Sequence, residues 1–175
     1  LLTGNSADHA DLFGGSVIYG MGGTLDLASC TIADNLSPNG QSIVNFSWGS
    51  PPTGMTTVTN SILYNGGDEF WSNNPSTITA SHSSIQGNWP GLGNVDEVPD
   101  FVSPGARGIE GEWFEGDYRL NPTSPLIDGG DQTQRPVDEL DLDVDGNTTE
   151  LLPVDLDGSV RVQNAEIDMV AYESA

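Results

Sequence analysis

The residues best suited to chemistry are the aspartates of the segment DLDVDGN, near the end of the chain. Asp141, Asp143 and Asp145 alternate along it and Gly146 follows, which reproduces the first half of a calcium-binding loop. In such a loop, alternating carboxylates converge on one hard cation and the glycine permits a sharp turn. The second half departs from the pattern, because Leu152 stands at the twelfth position instead of a bidentate glutamate. The pattern therefore predicts a calcium site without predicting an EF-hand.

A second acidic turn follows the first. The segment DLDG contributes Asp155 and Asp157, and Glu150 lies between the turns, two places before the expected glutamate position. We expect one Ca²⁺ ion to be shared between the two turns. Its expected ligands are Asp141, Asp143, Asp145, Asp155 and Asp157. The alternative interpretation is a pair of solvated Asp-Gly turns, which suits a chain of this acidity equally well.

Tryptophans in predicted loops suggest a second kind of binding. The four tryptophans are Trp48, Trp71, Trp89 and Trp113. Exposed aromatic rings can stack on sugar faces, so Trp71 and Trp89 are candidate glycan contacts. The alternative is that such rings pin loops onto the flank of the fold, which is the more common role of a large aromatic side chain.

Catalytic patterns are weak in this sequence. The chain has no lysine and four arginines, none of them in its clear repeats, which disfavours the basic centre of a polysaccharide lyase. Asp96, Glu97 and Asp100 offer carboxylates for an acid and base pair, but charges of a solvated loop explain them better. His82 is predicted to be structural. We assign no catalytic residue, since hydrolase-elbow, zincin, dinucleotide and P-loop motifs are also missing from the sequence.

Net charge limits the partners. The chain contains 26 acidic residues and a formal charge of -22, whereas nucleic acids and anionic membrane surfaces require a cationic face. We therefore expect no nucleic-acid partner. We also expect no membrane insertion by this chain, because no stretch approaches the ~20 apolar residues of a membrane span.

The elements that position these residues repeat along the first half of the chain. The repeats are LDLASCTIADN from Leu25, TTVTNSILYN from Thr56 and TITASHSSIQG from Thr77. A spacing of this size is typical of one turn of a β-solenoid. Stacked turns would align the polar residues Ser29, Asn60 and His82 in one ladder. They would align the apolar residues Ile32, Leu63 and Ile85 in a second, internal column.

Several segments carry a family resemblance. The opening LTGNSADHADLFGGSVIYGMGGTLDLASCTIADN resembles the GG-A-I-Y and F-x-x-N repeats of secreted bacterial β-helix proteins, including polymorphic outer-membrane protein repeats, with Leu2 in the phenylalanine position. DYRLNPTSPLIDGGD and EIDMVAYE are similar to the closing signature of pectin-lyase-like surface proteins with choice-of-anchor Q domains. Met169 and Val170 replace the glycine usual there.

The resemblance implies an all-β chain folded as a right-handed parallel β-helix with a loop-rich C-terminal cap. Residues 1–103 would form β-helix coils that continue from upstream coils, and residues 104–175 would form the cap with the Asp-rich loop. Plugs of the cap are expected at Tyr118, Leu120, Leu126 and Ile127.

These observations favour a non-catalytic extracellular or cell-surface module, exported by a bacterium, with a structural, adhesive or assembly role and stabilisation by calcium. Its expected partners are glycans, or neighbouring subunits that dock at an open N-terminal coil. One alternative is the C-terminal part of a secreted polysaccharide lyase or hydrolase whose active site lies upstream. A glycan-binding module is the other.

Overall fold

The protein is an all-β chain. A computed structural model describes residues 1–7, 15–37, 40–48, 53–163 and 166–174. Regular structure in these ranges consists of fourteen β-strands and one short 3-10 helix, Gln132–Gln134. The calcium-loop and tryptophan positions predicted above all fall within the described ranges.

Ten of the strands form three parallel sheets. Sheet I pairs β1, β4, β7 and β10 in that order, and its strands are Leu2–Thr3, Thr31–Ala33, Ile62–Tyr64 and Ser84–Ile85. Sheet II pairs β2, β5 and β8, which are Ile18–Met21, Ile43–Phe46 and Phe70–Ser72. Sheet III pairs β3, β6 and β9, which are Gly23–Ala28, Gly54–Thr59 and Thr77–Ser81. The chain thus passes through sheets I, II and III in the same order three times and then returns to sheet I.

The register of sheet I confirms the predicted apolar column. Ile32 pairs with Leu63, and Leu63 pairs with Ile85. All three are buried in one core, core 1, with Val58 and Phe70 among its other members. Like side chains align because each strand lies beside its counterpart one turn later, where the pleat directs equivalent residues to the same face. Core 1 is therefore built from columns of aliphatic side chains.

The predicted polar residues occupy equivalent turns between sheets III and I. Ser29, Asn60 and His82 all adopt left-handed backbone conformations, with φ of 53°, 48° and 46°. Their side chains do not form the expected ladder. The Asn60 amide instead exchanges two hydrogen bonds with the backbone of Asp131, at 2.8 and 3.0 Å, and Gln134 Nε2 lies 2.9 Å from His82 Nδ1. These turns are thus attached to the C-terminal segment.

The hydrogen-bonded ladder lies one residue further on. The backbone amide of Cys30 donates to Ser61 Oγ at 3.0 Å, that of Ser61 donates to Ser83 Oγ at 3.1 Å, and that of Ser83 donates to Asn94 Oδ1 at 3.1 Å. Each side chain satisfies the amide of the preceding turn, which the tight bend would otherwise leave unpaired. The ladder is therefore made by the residue that follows each of Ser29, Asn60 and His82.

A second ladder was not predicted. Asn35 Oδ1 accepts from the backbone amide of Asn5, and Asn65 Oδ1 accepts from that of Asn35, both at 2.9 Å. Glu69 ends the ladder by accepting from Asn65 N and Nδ2 at 2.7 Å and from Ser42 Oγ at 2.6 Å. Burial raises the pKa of Glu69 to about 7, although these hydrogen bonds favour its charged form. The repeat thus encloses an ionisable group.

The C-terminal segment packs beside sheet I. It contains two antiparallel pairs: β11 with β14 (Phe101–Ser103 with Asp117–Leu120) and β12 with β13 (Ala106–Arg107 with Trp113–Phe114). A second core, core 2, joins this segment to sheet I through Ala33 and Ile62. The residues expected as plugs belong to it: Tyr118, Leu120 and Leu126 are buried, and Ile127 packs against them.

Polar contacts attach the segment to successive turns of the sheets. Arg107 donates to the carbonyl of Gly4 at 2.6 Å, and the Tyr118 hydroxyl donates to Asp34 Oδ2 at 2.7 Å. Gly4 follows β1 and Asp34 follows β4, whereas Asn60 and His82, described above, come just before β7 and β10. The segment thus makes a contact next to each of the four strands of sheet I. The segment therefore runs along the side of the strand stack.

Candidate metal site

An antiparallel bridge positions the acidic loop. Val137 and Leu151 pair as an isolated bridge, the amide of Asp138 donates to the carbonyl of Glu150 at 2.9 Å, and the amide of Leu152 donates to that of Pro136 at 2.8 Å. Residues 138 and 150 are therefore neighbours although they lie at opposite ends of the loop. The intervening residues, which include the segment DLDVDGN, form a closed loop that we name the acidic loop, residues 138–150.

Two groups of three carboxylates in this loop could hold a metal ion. One consists of Asp138, Asp143 and Glu150, and the other of Asp141, Asp143 and Asp145. Within each group, one oxygen of every residue lies within 4.8 Å of the others. The structure thus brings together the three aspartates of the first predicted turn and adds two acidic residues that were not predicted as ligands.

The two groups differ in how their oxygens are used. Among the described residues, Asp138 Oδ1 and Glu150 Oε1 are buried without a hydrogen-bond partner. By contrast, Asp141 Oδ1 accepts from the amide of Gly146 at 3.1 Å, and Asp145 Oδ1 accepts from that of Asn147 at 2.7 Å. Asp141 and Asp145 therefore shape the turn, and Asp143 Oδ1 takes part by accepting from the amide of Asp145 at 3.3 Å. Asp138 and Glu150, by contrast, each leave one oxygen unsatisfied.

Electrostatic repulsion is concentrated in the loop. Partial burial raises the pKa of Glu150, and the charges of Asp145, Asp143, Asp138 and Asp141 raise it further. Carboxylates this close favour protonation or a cation, because each additional negative charge disfavours ionisation of the others. The loop thus has the oxygen ligands and the excess negative charge that a divalent cation would neutralise.

Asp155 and Asp157 belong to neither group. The Asp155 carboxylate accepts from the amides of Asp157, Ser159 and Glu173, at 2.9, 2.8 and 2.8 Å. Asp157 pairs with Arg119, whose Nε lies 2.8 Å from its Oδ2. Both aspartates already have strong partners. Asp155 stabilises the DLDG turn, and Asp157 forms an ion pair on the adjoining surface.

The closing segment contains a separate buried charge cluster. Arg161 donates to the carbonyls of Val170 and Ala171, and its Nε lies 3.4 Å from Glu173 Oε1. Burial raises the pKa of Glu173 to about 8; Arg161 opposes this shift and Asp168 reinforces it. Because these groups are bonded to backbone atoms of the same segment, the cluster holds the closing segment in place.

The two candidate glycan tryptophans lie in different surroundings. Trp89 meets Phe70 edge-on, with ring centroids 4.9 Å apart, and packs against core 1. Trp71 is partly exposed on sheet II and stacks on Phe46 at 6.1 Å, with ring planes 8° apart. Trp48 meets Phe46 edge-on, with ring centroids 4.9 Å apart, and is 80% exposed. Trp71 therefore lies beside an open aromatic surface, whereas Trp89 is part of the packing.

Other residues considered for chemistry make local contacts. Asp100 accepts from Thr123 Oγ1 at 2.9 Å and from Asn121 Nδ2 at 3.2 Å, which joins it to the turn after β14. His82 lies 3.9 Å from Asp131, besides its contact with Gln134. Asp100 thus fastens its own loop to the C-terminal segment, and His82 joins the strand stack to that segment.

Comparison with known proteins leaves the family open. No protein family, no curated protein and no solved structure matches this chain. Within the described residues, no helix has the length and apolar character needed to cross a bilayer. The acidic loop therefore stands on its geometry alone.

Proposed function

We propose that the chain is a right-handed parallel β-helix of the pectin-lyase-like type, and that it serves as a non-catalytic extracellular or cell-surface module with a structural, adhesive or assembly role. The observation that supports this best is the threefold passage through sheets I, II and III in constant order. Parallel strands joined in this way wind a chain around one axis, and crossovers between parallel strands are overwhelmingly right-handed.

Two further observations support the proposal. The Asn5, Asn35 and Asn65 ladder lies in the repeat that resembles F-x-x-N, and its role in joining turns fits a solenoid. The closing segment EIDMVAYE supplies Asp168 and Glu173, whose carboxylates accept from the backbone amides of Asp128 and Asp168 respectively. Its acidic residues therefore fit a structural role better than a catalytic one.

We also propose that the ion held by the acidic loop is Ca²⁺. All the available ligands are carboxylate oxygens, which hard cations prefer, whereas zinc and copper sites favour imidazole or thiolate. The loop is irregular, which suits the flexible coordination of Ca²⁺ better than the strict octahedron of Mg²⁺. Binding would brace the acidic segment against its own repulsion.

The stacking of turns is tested with paired spin labels. Asp26, Thr57 and Thr79 are in register on sheet III. Spin labels are attached to cysteines introduced at two of these positions at a time, in a Cys30→Ser background. The labelled backbone positions are about 4.8 Å apart on adjacent turns and about 10 Å apart when one turn lies between them. Dipolar broadening should be strongest for the pairs 26/57 and 57/79 and weaker for 26/79. Absence of this order would contradict the β-helix.

The cellular role is tested with the full-length protein in the cells that encode it. We expect surface biotinylation of intact cells to label the protein, and the purified protein to leave pectin, alginate and sulfated glycans uncleaved. Labelling only after lysis would contradict the surface role. Turnover of any of these glycans would favour the polysaccharide-cleaving alternative.

Glycan binding remains a second candidate because of the open aromatic surface at Trp48, Phe46 and Trp71. A glycan array should then show binding that Trp71→Ala abolishes. Trp89→Ala is the matched comparison, since Trp89 packs against core 1. Binding that survives Trp71→Ala would remove this surface from consideration.

A further inference from the structure

Asp138 is the most unusual carboxylate of the acidic loop. Its side chain is only 2% exposed, Oδ2 accepts from the amide of Leu142 at 2.8 Å, and Oδ1 has no partner among the described residues. A buried oxygen without a donor is costly, and a buried charge more so, unless a cation or hydrogen bond compensates it. Glu150 repeats the situation with its own unpartnered Oε1. Two acidic residues that the fold places side by side therefore lack the same kind of partner.

The separations between the carboxylate oxygens of the first group are compatible with one bound divalent cation. Ca²⁺ binds oxygen at about 2.4 Å, so two ligands on opposite sides of it are about 4.8 Å apart. The selected oxygens of Asp138, Asp143 and Glu150 all lie within 4.8 Å of one another. Oxygens this close to one another can be bridged by one cation once the side chains adjust around it.

We infer that Asp138, Asp143 and Glu150 are the protein ligands of one divalent cation, and that Asp141 and Asp145 shape the turn without binding it. The inference rests on the proposed Ca²⁺ site and names its ligands. Asp138 and Glu150 flank the bridge at the base of the acidic loop, and Asp143 comes from its tip. The cation would thus tie the tip of the loop to its base.

The ligand set is different from the one that an EF-hand pattern suggests. In that pattern, alternating aspartates face the ion along one continuous loop. Here Asp141 Oδ1 and Asp145 Oδ1 each accept an amide hydrogen bond within the turn, whereas Asp138 and Glu150 each keep a buried oxygen without a partner among the described residues. In this loop the antiparallel bridge, and not regular sequence spacing, brings Asp138 and Glu150 together.

The test is calorimetric titration of CaCl₂ into the whole chain after treatment with EDTA. We expect Asp138→Asn and Glu150→Gln each to weaken binding by about tenfold or more, since ligand charge sets affinity in such sites. Glu139→Gln is the matched control, because Glu139 is exposed in the same loop and belongs to neither group. That control should change the affinity by no more than a few-fold, because an exposed charge is screened by salt. Asp145→Asn should weaken binding less than either ligand variant, since it removes a nearby charge but no ligand.

The outcomes separate the inference from the calcium proposal. Binding that is weakened by Asp145→Asn but unaffected by Glu150→Gln would overturn the ligand assignment while leaving a Ca²⁺ site in the loop. No heat for the parent chain at millimolar CaCl₂, and no change in its melting temperature, would overturn both. Glu150 is only partly buried, so its variant keeps the test decisive if Asp138→Asn fails to fold, as far-UV circular dichroism would reveal.

Discussion

The asparagine ladder permits a quantitative prediction for Asn35→Ala. Asn35 is 3% exposed, and its side chain serves groups on two neighbouring turns. Oδ1 accepts from the backbone amide of Asn5, while Nδ2 donates to the carbonyl of Leu2 and to Asn65 Oδ1, each at 2.9 Å. Truncation to alanine removes the side-chain bonds to three backbone groups, the amide of Asn5 and the carbonyls of Leu2 and Ala33. Asn65 Oδ1, by contrast, keeps its bond from the Asn35 backbone amide.

The expected loss follows from that count. An unsatisfied buried polar group costs about 1–3 kcal/mol, and the lower end applies here because water can reach the outer turn that contains Leu2 and Asn5. Three groups therefore give a loss of about 3 kcal/mol in the free energy of unfolding. Small domains have roughly 5–15 kcal/mol in total, so a loss of this size is easily measured.

Urea denaturation followed by tryptophan fluorescence and circular dichroism measures this loss. Asn5→Ala is the matched control, since Asn5 is the exposed end of the same ladder and donates only to Thr3 O and Asn35 Oδ1 through its side chain. We expect the control to lose less than about 1 kcal/mol. Equal losses for Asn5→Ala and Asn35→Ala would refute the reasoning, because burial of the ladder would then contribute nothing.

Two further predictions concern buried positions. The pKa of Glu69 is raised from 4.5 to about 7, so the folded state favours the neutral form of this side chain. The contribution of Glu69 to the free energy of unfolding is therefore fully present below pH 4.5 and is lost as pH rises through 7. The free energy of unfolding is measured by urea denaturation at pH 5 and at pH 8. The difference between the two values should be smaller in Glu69→Gln than in the parent chain by up to about 3 kcal/mol. A difference that the substitution leaves unchanged would contradict this. Gly54→Ala should cost about 1–3 kcal/mol in the same assay, because its Cβ would overlap the side chain of the buried Asn45. Gly20→Ala is its control, since a Cβ there meets ordinary contacts at 3.7 Å.

Much of the strand stack could be predicted from the repeats. Ile32, Leu63 and Ile85 each follow a polar pair at the end of a β-rich stretch, so matching these stretches also matched their registers. The ladder of Asn5, Asn35 and Asn65 escaped prediction, although its members are 30 residues apart. Asparagine is also a common turn residue, and its role as a buried hydrogen-bonding group depends on the turn that lies beside it.

The site was predictable only in part. Asp141, Asp143 and Asp145 were predicted because alternation of aspartates is a local pattern, and they form one of the two carboxylate groups. Asp138 and Glu150 lie at the two ends of the acidic loop, and only the bridge between Val137 and Leu151 brings them together. Such a pairing depends on how a loop closes, which residue spacing does not encode. Asp155 and Asp157 were expected as ligands because they follow the first acidic turn in sequence. In the structure their carboxylates bind other groups, backbone amides for Asp155 and Arg119 for Asp157.

The position of the acidic loop links cation binding to the strand stack. Leu142 and Leu152, one within the loop and one just after it, line a cavity of about 180 Å³ together with Ala28 and Ser29, at the end of β3. In a simple solenoid each turn contacts only its neighbours, so turns can unfold separately. Here the C-terminal segment contacts all four passages of the chain, which couples them. A cation that orders the acidic loop would therefore stabilise the stack as a whole, because the loop belongs to the segment that joins its turns.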